Sequence, residues 1–307
     1  MEAIRIVFAG TPAFAVPSLQ ALQAHPSVDV VAVYTQPDRP AGRGRRLTAR
    51  LVKQTAVAAG LAVEQPPDLK LPAALKRFAS YKPDLLVVAA YGLMLPSDYL
   101  AGPAATINVH ASLLPRWRGA APIQRALMAG DDRTGISIMR IVERLDAGPV
   151  WLSKECLITD ADTGGTLHDR LALLGSDALN ESIGRFIEGS IVESPQNESF
   201  ALYAEKITSE DRAINWSDPS TKIALQVRAL NPVPAALTRL GQMDVKVFEC
   251  RIEGSEKRTR PGSILGLSRD GIKMATGDGI VSIVELQPPG KHRMSAESFI
   301  NGYGSQL

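Results

Sequence analysis

The chain has 307 residues, of which 45% are apolar and 21% are charged, and its formal net charge is +2. This length is typical of about two globular domains, and the small net charge excludes a uniformly basic nucleic-acid-binding chain. The two cysteines, Cys156 and Cys250, are too few for a disulfide framework and favour a reducing compartment such as the cytoplasm. The N-terminus lacks the features of a signal peptide, and no apolar run is long enough to span a membrane.

Apolar runs alternate with helical patterns over the first two-thirds of the chain. The runs are rich in valine, isoleucine and alanine without polar alternation, which is typical of strands buried on both faces. We predict strands at residues 4–9, 28–34, 85–90, 106–110 and 136–141, and helices at residues 13–24, 51–59, 71–78 and 121–128. This order of elements predicts an α/β domain with a Rossmann-like, mostly parallel sheet.

The pattern changes after a longer helix that begins beyond Thr163. Residues 190–206 are polar and irregular, which indicates a linker between domains. Beyond this linker a single helix is predicted at residues 221–230, and short alternating runs between glycine-rich turns occupy residues 245–251, 262–267, 271–275 and 280–286. We therefore predict two domains, residues 1–189 and 207–307, of which the second is a smaller, OB-like β-barrel.

Asn108 and His110 are the strongest candidates for a reactive site. They lie two residues apart at the end of a predicted strand, so their side chains point to the same face. Ligands of open α/β sheets bind outside the carboxyl ends of the strands, which favours function over the alternative of a histidine hydrogen-bonded into the fold. Asp146 follows the next predicted strand and could orient the imidazole of His110, a pairing that spacing alone leaves open.

Common catalytic and cofactor motifs are missing from the sequence. The other histidines, His25, His168 and His292, do not fall into zinc-ligand spacing, and the chain has neither a GxSxG motif nor a P-loop. The first predicted strand ends in Gly10-Thr11-Pro12, with a single glycine, so a dinucleotide site is only weakly supported. We therefore expect neither a bound metal nor an activated serine.

A basic segment at residues 34–46 follows the second predicted strand. It contains turn-forming residues and one acid, and its arginines are Arg39, Arg43, Arg45 and Arg46. Nothing in the segment has apolar periodicity, so we predict an exposed, mobile loop. Such a charge cluster favours contact with a nucleic acid or another phosphate-bearing partner, with an ordinary solvated surface as the alternative.

Three segments resemble the catalytic motifs of one known family, the 10-formyltetrahydrofolate-dependent formyltransferases. They are residues 108–115 (NVHASLLP), 118–123 (RGAAPI) and 145–148 (LDAG). The basic segment is similar to a tRNA-contacting loop in the branch of the family that acts on methionyl-tRNA. The resemblance extends over nearly the whole chain, so it identifies the chain as a member of this family.

The resemblance implies an enzyme that transfers the formyl group of 10-formyltetrahydrofolate to the α-amino group of initiator methionyl-tRNA. The product would be formylmethionyl-tRNA for translation initiation, and the alternative substrate is a sugar amine or another small amine. The resemblance also implies that residues 1–189 are catalytic and that residues 207–307 bind tRNA. It further implies a monomeric, cytoplasmic protein with folate as co-substrate, without a metal and without a membrane partner.

Site residues follow from the resemblance by position. It implies that the catalytic residues are Asn108, His110 and Asp146. It implies that a folate-binding loop consists of Ser112, Leu113, Leu114 and Pro115. The tRNA-binding residues that it implies are Arg39, Arg43, Arg45 and Arg46. In the implied reaction Asn108 and His110 donate hydrogen bonds to the negatively charged formyl oxygen. His110 also shuttles protons, and Asp146 holds its imidazole charged and aligned.

Overall fold

The protein is described here as a computed structural model that covers residues 2–41, 46–254 and 259–307. The strands within these residues are, in chain order, β1 (Ile4–Gly10), β2 (Val28–Tyr34), β3 (Arg39–Ala41), β4 (Arg46–Thr48), β5 (Val63–Glu64), β6 (Leu85–Ala89), β7 (Ala105–His110), β8 (Arg118–Gly119), β9 (Arg133–Arg140), β10 (Val150–Leu157), β11 (Tyr203–Ala204), β12 (Ala236–Leu240), β13 (Met243–Gly254), β14 (Ile264–Ser268), β15 (Gly271–Ala275), β16 (Ile280–Gln287) and β17 (Met294–Ser295).

The helices in the same part of the chain include one of 24 residues, and the others are shorter. They are α1 (Val16–Ala24), α2 (Leu51–Ala58), α3 (Pro72–Ser80), α4 (Ser97–Ala101), α5 (Pro122–Ala129), α6 (Gly164–Ile187), α7 (Ser209–Arg212), α8 (Ser220–Leu230) and α9 (Ala296–Tyr303). None of these helices is long and apolar enough to cross a membrane.

The chain divides into two compact units. Unit 1 comprises Met1–Gly119, Arg133–Leu157 and His168–Tyr203. Unit 2 comprises Ala120–Asp132, Ile158–Leu167 and Ala204–Leu307. The predicted fold class, a mostly parallel sheet with helices followed by a smaller β unit, is confirmed.

Unit 1 contains a seven-stranded sheet of order β10-β9-β7-β6-β1-β2-β5. β5, β2, β1, β6 and β7 run parallel, β9 pairs antiparallel with β7, and β10 pairs antiparallel with β9 at the edge of the sheet. All five residues of β6 are buried, as expected of a strand covered on both faces. The sequence analysis did not predict β10, because the exposed Ser153 and Glu155 interrupt its apolar run. These two residues alternate with less exposed neighbours, and such an alternation is typical of a strand with one solvent-facing side.

The strand order of this sheet reverses beside β1. The chain passes from β1 to β2 on one side and later to β6 on the other, so the carboxyl ends of β1 and β6 form the position where open α/β sheets bind ligands. The loops that follow the strands are joined by hydrogen bonds at this edge. Thr11 Oγ1 donates to the carbonyl of Tyr91 at 2.9 Å, and Gln36 Nε2 donates to the same oxygen at 3.0 Å.

Unit 2 contains an antiparallel sheet of order β12-β13-β16-β15-β14, with β17 paired to β16. Its core includes Ile223 and Val227 of α8 together with Phe299 of α9, all with at most 1% of their surface exposed. Within the described residues this sheet is open, and β12 and β14 are its edge strands. The sequence analysis predicted a single helix in this region, which corresponds to α8, and it missed the short helices α7 and α9. Helix α7 has four residues, none of them buried, and α9 buries only Ala296 and Phe299.

The basic segment is more regular at its ends than the predicted loop. β3 and β4 pair antiparallel, with Pro40 opposite Leu47. Asp38, just before this ribbon, accepts hydrogen bonds from Lys53 Nζ at 2.6 Å and Gln65 Nε2 at 3.0 Å. Backbone pairing needs no apolar side-chain pattern, so the lack of apolar periodicity in this segment did not exclude a short ribbon.

The predicted linker begins within unit 1, which extends to Tyr203. Ser194 forms a two-way backbone hydrogen bond with Val150, at 2.9 Å in each direction. Glu193 accepts from Arg140 Nε at 2.6 Å and from Trp151 Nε1 at 2.9 Å. Residues 193 and 194 are therefore anchored to the edge of the unit 1 sheet, and the predicted boundaries at residues 189 and 207 stay a prediction.

Candidate active site

His110 is the last residue of β7, and its imidazole is buried between two fixed groups. Only 5% of the residue is exposed. Its Nε2 atom lies 2.9 Å from the carbonyl oxygen of Trp117, and its Nδ1 atom lies 3.8 Å from Asp146 Oδ2. A carbonyl oxygen can only accept a hydrogen bond, so Nε2 carries a proton in this arrangement. Nδ1, which faces the carboxylate, is therefore the atom at which the imidazole gains or loses a proton.

Asp146 lies in the turn between β9 and β10, where its backbone φ is +46°. This left-handed conformation is uncommon for residues other than glycine and needs support from the surrounding structure. Oδ2 of Asp146 accepts a hydrogen bond from the backbone N–H of Gly119 at 2.8 Å. The structure thus brings Asp146 to His110, the pairing that spacing had left open.

Asn108 lies two residues before His110 on the same strand, and the intervening Val109 is buried with 2% exposure. In the part of the chain that the structure describes, the side-chain amide of Asn108 has no hydrogen-bond partner. Asn108 is half-buried, so solvent or a ligand can reach it. Its amide N–H groups are therefore available to an acceptor placed at the carboxyl end of β7.

The loop after His110 is held by serine hydroxyls. Ser112 Oγ donates to the carbonyl of Arg116 at 2.6 Å. Ser137 Oγ donates to the carbonyl of Ser112 at 2.8 Å and accepts from the backbone N–H of Leu114 at 3.1 Å. The Ser112 side chain is thus occupied within the loop, so a ligand would meet backbone groups and the side chains of the residues that follow.

Leu114 and Pro115 line a cleft of about 260 Å³ within unit 1. β10 supplies Val150–Ser153 to its wall, and residues 192–197, excepting Glu193, supply the rest. The fully buried Ser112 and the half-buried Leu113 are not part of this wall. The structure therefore separates the four residues of the predicted folate loop into two that support it and two that face the cleft.

Gln196 is a site residue that the sequence analysis missed. Its Nε2 atom donates to the carbonyl oxygens of Asp146 at 2.8 Å and Gly148 at 2.7 Å. Its Oε1 atom accepts from the guanidinium of Arg118, whose side chain is fully buried. Glu198 also binds this guanidinium, and the hydrogen bond from Arg118 lowers the pKa of the Glu198 carboxyl below its usual value. No periodic or motif signal marks Gln196, because it lies in a polar, irregular segment.

The predicted tRNA-binding arginines lie in the basic segment. Arg39 opens β3 and Arg46 opens β4, where Ala41 pairs with Arg46. Arg43 and Arg45 lie outside the described residues. Within the described ranges, no three His, Cys, Asp or Glu side chains are grouped as they would be to hold a metal ion.

Comparison with known proteins assigns the chain to a family. Residues 4–183 match the model of the formyl transferase family, and residues 206–304 match the model of the formyl transferase C-terminal domain. The chain belongs to the formyl transferase family. It is 48% identical to a methionyl-tRNA formyltransferase of Methylococcus capsulatus, over 98% of this chain and 97% of the relative. It is 46% identical to the enzyme of the same name from Marinobacter nauticus, over 99% and 97% of the two chains.

This formyl transferase also shares its fold with HypX from Aquifex aeolicus in complex with tetrahydrofolic acid. The TM-score is 0.65 at 19% identity, and the match covers 98% of this chain and 48% of HypX. The chain thus spans about half of the length of that protein. At this identity the likeness supports the two-part fold of the formyl transferase and nothing finer.

Proposed function

We propose that this protein transfers the formyl group of 10-formyltetrahydrofolate to the α-amino group of initiator methionyl-tRNA, giving formylmethionyl-tRNA and tetrahydrofolate. The observation that carries the proposal is the buried imidazole of His110, held between the Trp117 carbonyl and the Asp146 carboxylate. Asn108, on the same strand, has a side-chain amide with no partner among the residues that the structure describes. Membership in the formyl transferase family, with near full-length relatives named methionyl-tRNA formyltransferase, supports this choice of substrates.

The reaction needs a neutral attacking amine and groups that stabilise the negative charge that develops on the formyl oxygen. The amine nitrogen of methionyl-tRNA attacks the formyl carbon, and a tetrahedral intermediate forms with negative charge on the formyl oxygen. The amine then loses a proton, the bond from the formyl carbon to N10 of the folate breaks, and N10 gains a proton. Because no covalent enzyme intermediate is required, the site needs hydrogen-bond donors and a group that moves protons, but no nucleophile.

Asn108 is suited to stabilise the tetrahedral intermediate. Its amide is free of other partners in the described part of the chain and is fixed to the rigid strand β7. A preorganised donor aimed at a developing oxyanion contributes about 3–4 kcal/mol where this has been measured. We therefore assign Asn108 the role of donating to the formyl oxygen.

His110 and Asp146 are suited to move the proton. The bond from Nε2 to the Trp117 carbonyl fixes the ring, so the exchange of protons takes place at Nδ1, which faces Asp146 Oδ2. A carboxylate next to an imidazole stabilises the imidazolium that forms when the amine gives up its proton. His110 then returns this proton to N10, and the contact of 3.8 Å is expected to shorten when substrates close the site.

The remaining residues are assigned to binding. The backbone of Ser112 and Leu113 and the cleft-lining groups of Leu114 and Pro115 would bind the folate. Residues 1–189 would act as the catalytic domain, and residues 207–307 would bind tRNA together with Arg39, Arg43, Arg45 and Arg46. All three catalytic residues come from one chain, so the proposal requires only a monomer, and the tRNA substrate implies a cytoplasmic enzyme.

The test is a formylation assay on the full chain. With 10-formyltetrahydrofolate and methionine-charged initiator tRNA, we expect formylmethionyl-tRNA as the product, and His110→Ala should lower its rate at least 100-fold. The matched control is His168→Ala, which removes an imidazole that lies against Phe14 and Asp169 away from the candidate site. A wild-type chain that formylates a sugar amine but not methionyl-tRNA would contradict the proposal.

A further inference from the structure

Arg118 is an arginine whose side chain has 0% of its surface exposed. Its guanidinium donates to Gln196 Oε1 from Nε at 3.0 Å and from NH2 at 2.8 Å. It also donates to Glu198, from NH1 at 3.1 Å and from NH2 at 2.8 Å. A buried guanidinium requires partners of this kind, because a buried charge without them is strongly destabilising. The positive charge of Arg118 explains why the Glu198 carboxylate lies beside it. It does not explain the orientation of Gln196, whose amide is uncharged.

The orientation of Gln196 is fixed by what lies on its two sides. Its oxygen faces two guanidinium donors, and its NH2 group faces two carbonyl oxygens, those of Asp146 and Gly148. A rotation that exchanged oxygen and nitrogen would place NH2 against the guanidinium and the oxygen against the carbonyls. The amide is therefore locked, and it transmits the position of Arg118 to the backbone of Asp146.

Asp146 needs this support because its backbone adopts the left-handed conformation. The two consecutive residues of β8 act on it from different sides. Arg118 acts through Gln196 on the Asp146 carbonyl, and the backbone N–H of Gly119 binds the Asp146 carboxylate at 2.8 Å. The backbone carbonyl and the side-chain carboxylate of Asp146 are therefore both linked to β8 by hydrogen bonds, the carbonyl through Gln196 and the carboxylate directly.

We propose that Gln196, held by Arg118, is a positioning residue that fixes Asp146 opposite Nδ1 of His110. The proposal rests on the catalytic role assigned above to His110 and Asp146. It also gives one residue of the predicted linker a positioning role, since Gln196 lies in that segment, 50 residues from Asp146 in the chain. Glu198 completes the neutralisation of Arg118 and contacts neither Asp146 nor His110 in the described part of the structure.

The test variant is Gln196→Glu, which keeps the shape of the side chain and the acceptor for Arg118. It replaces the two donated hydrogen bonds by a carboxylate oxygen directed at the carbonyls of Asp146 and Gly148. We expect kcat to fall on the order of 10- to 100-fold, as for other outer hydrogen-bond partners of catalytic groups, with KM for methionyl-tRNA within about twofold. The folate KM is not a readout here, because Gln196 also lines the cleft that Leu114 and Pro115 face. If the first variant does not fold, Gln196→Met is the second one; it removes the same donors without adding charge, and it also removes the acceptor for Arg118.

The matched control is Glu193→Gln. Glu193 anchors the same segment through Arg140 and Trp151 but does not contact Asp146. This variant should loosen the segment with kcat unchanged. A purely structural role for Gln196 would make both variants lower the thermal midpoint alike and leave kcat unchanged in both.

Two measurements separate positioning from general damage. In an Asp146→Asn background, Gln196→Glu should cause no further loss of kcat, whereas an equal loss in both backgrounds would overturn the proposal. Without substrates, the ring ¹⁵N resonances of His110 should shift in Gln196→Glu and stay in place in Glu193→Gln. The two proposals fail on different results. If the wild-type chain formylates no tRNA, the proposed function is wrong. If the His110 resonances do not change in Gln196→Glu, the positioning role of Gln196 is wrong.

Discussion

The Nε2 atom of His110 donates to the carbonyl oxygen of Trp117 across 2.9 Å, and Trp117 itself has a left-handed backbone with φ of +65°. The carbonyl is a permanent acceptor, so it selects one tautomer of the neutral imidazole. Proton exchange is thereby confined to Nδ1. The loop that follows β7 thus folds back to orient the histidine that precedes it.

This geometry predicts a selective effect of His110→Gln. In His110→Gln the amide nitrogen can occupy the place of Nε2 and keep the bond to Trp117, but no proton-accepting atom remains at the place of Nδ1. We expect folate binding within about twofold of wild type and a chemical step slowed about 100- to 10,000-fold. Folate titration and single-turnover transfer measure the two effects. A nearly normal rate in His110→Gln would show that Nδ1 does not handle the proton.

Asn108→Ala tests the stabilisation of the formyl oxygen. Because the donor acts mainly on charge that develops in the transition state, kcat should fall about 100- to 1,000-fold with little change in KM. Steady-state formylation assays measure both constants. Asn301→Ala, on the exposed face of α9, is the control and should keep wild-type kinetics. A rise in KM with kcat retained would assign Asn108 to substrate binding instead.

Gly135→Ala tests the support of the predicted folate loop. An added Cβ would lie 2.2 Å from the carbonyl oxygen of Lys154 and 2.6 Å from Cδ2 of Leu113, and the backbone contact cannot yield without moving β10. We expect the free energy of unfolding to fall by at least about 1–3 kcal/mol and folate affinity to drop. Urea unfolding and folate titration measure these effects.

The control for this substitution is Gly184→Ala in α6, where an added Cβ meets no atom within 4 Å. An alanine in an open helical position should increase stability by about 0.5–1 kcal/mol and leave folate binding unchanged. If Gly135→Ala were as stable as wild type, the close packing of β9 against β10 and Leu113 would be refuted.

Arg43→Ala tests the role of the basic segment in tRNA binding. Loss of one phosphate contact should weaken tRNA binding and make the slope of log affinity against log salt shallower by about 1. Folate binding should not change. The control is Arg185→Ala in α6, an exposed arginine paired with Glu181. Equal salt slopes for wild type and Arg43→Ala would remove this arginine from the tRNA contacts.

The pH dependence of stability in unit 2 should depend on Asp211. Its carboxylate accepts two hydrogen bonds from Arg125, each 2.8 Å, and this contact lowers the pKa of Asp211 below its usual value of 3.8. A lowered pKa in the folded state stabilises the protein above the unfolded pKa of about 4, and this stabilisation is lost as the pH falls through the folded pKa. Asp211→Asn should therefore cost about 2 kcal/mol at pH 7 and show a smaller loss on acidification.

Urea midpoints at pH 7 and pH 3 measure this effect. Asp244→Asn is the control, because Asp244 and its partner Arg239 are exposed and 3.6 Å apart. Such a surface pair contributes little to stability, so its removal should leave both midpoints nearly unchanged. An equal acid response of wild type and Asp211→Asn would refute the role of this ion pair.

Sequence patterns alone predict the inner strands of the unit 1 sheet and the pair at the end of β7. Strands covered on both faces must be continuous apolar runs, so β1, β2, β6 and β7 are visible without coordinates. The two-residue spacing of Asn108 and His110 likewise follows from strand geometry alone. β10, with its exposed polar face, and the short helix α9 were missed because their apolar signals are weak.

Apart from Asp146, the groups that surround His110 become visible only in the folded structure. The Trp117 carbonyl and the Gly119 N–H are backbone atoms, which every residue carries, so no residue type marks them in a sequence. Gln196 lies in a segment whose polar composition suggested a solvated linker. A buried polar residue differs from a solvated one only by its partners, and these partners, Arg118 and Asp146, are distant in the chain and come together only when unit 1 folds.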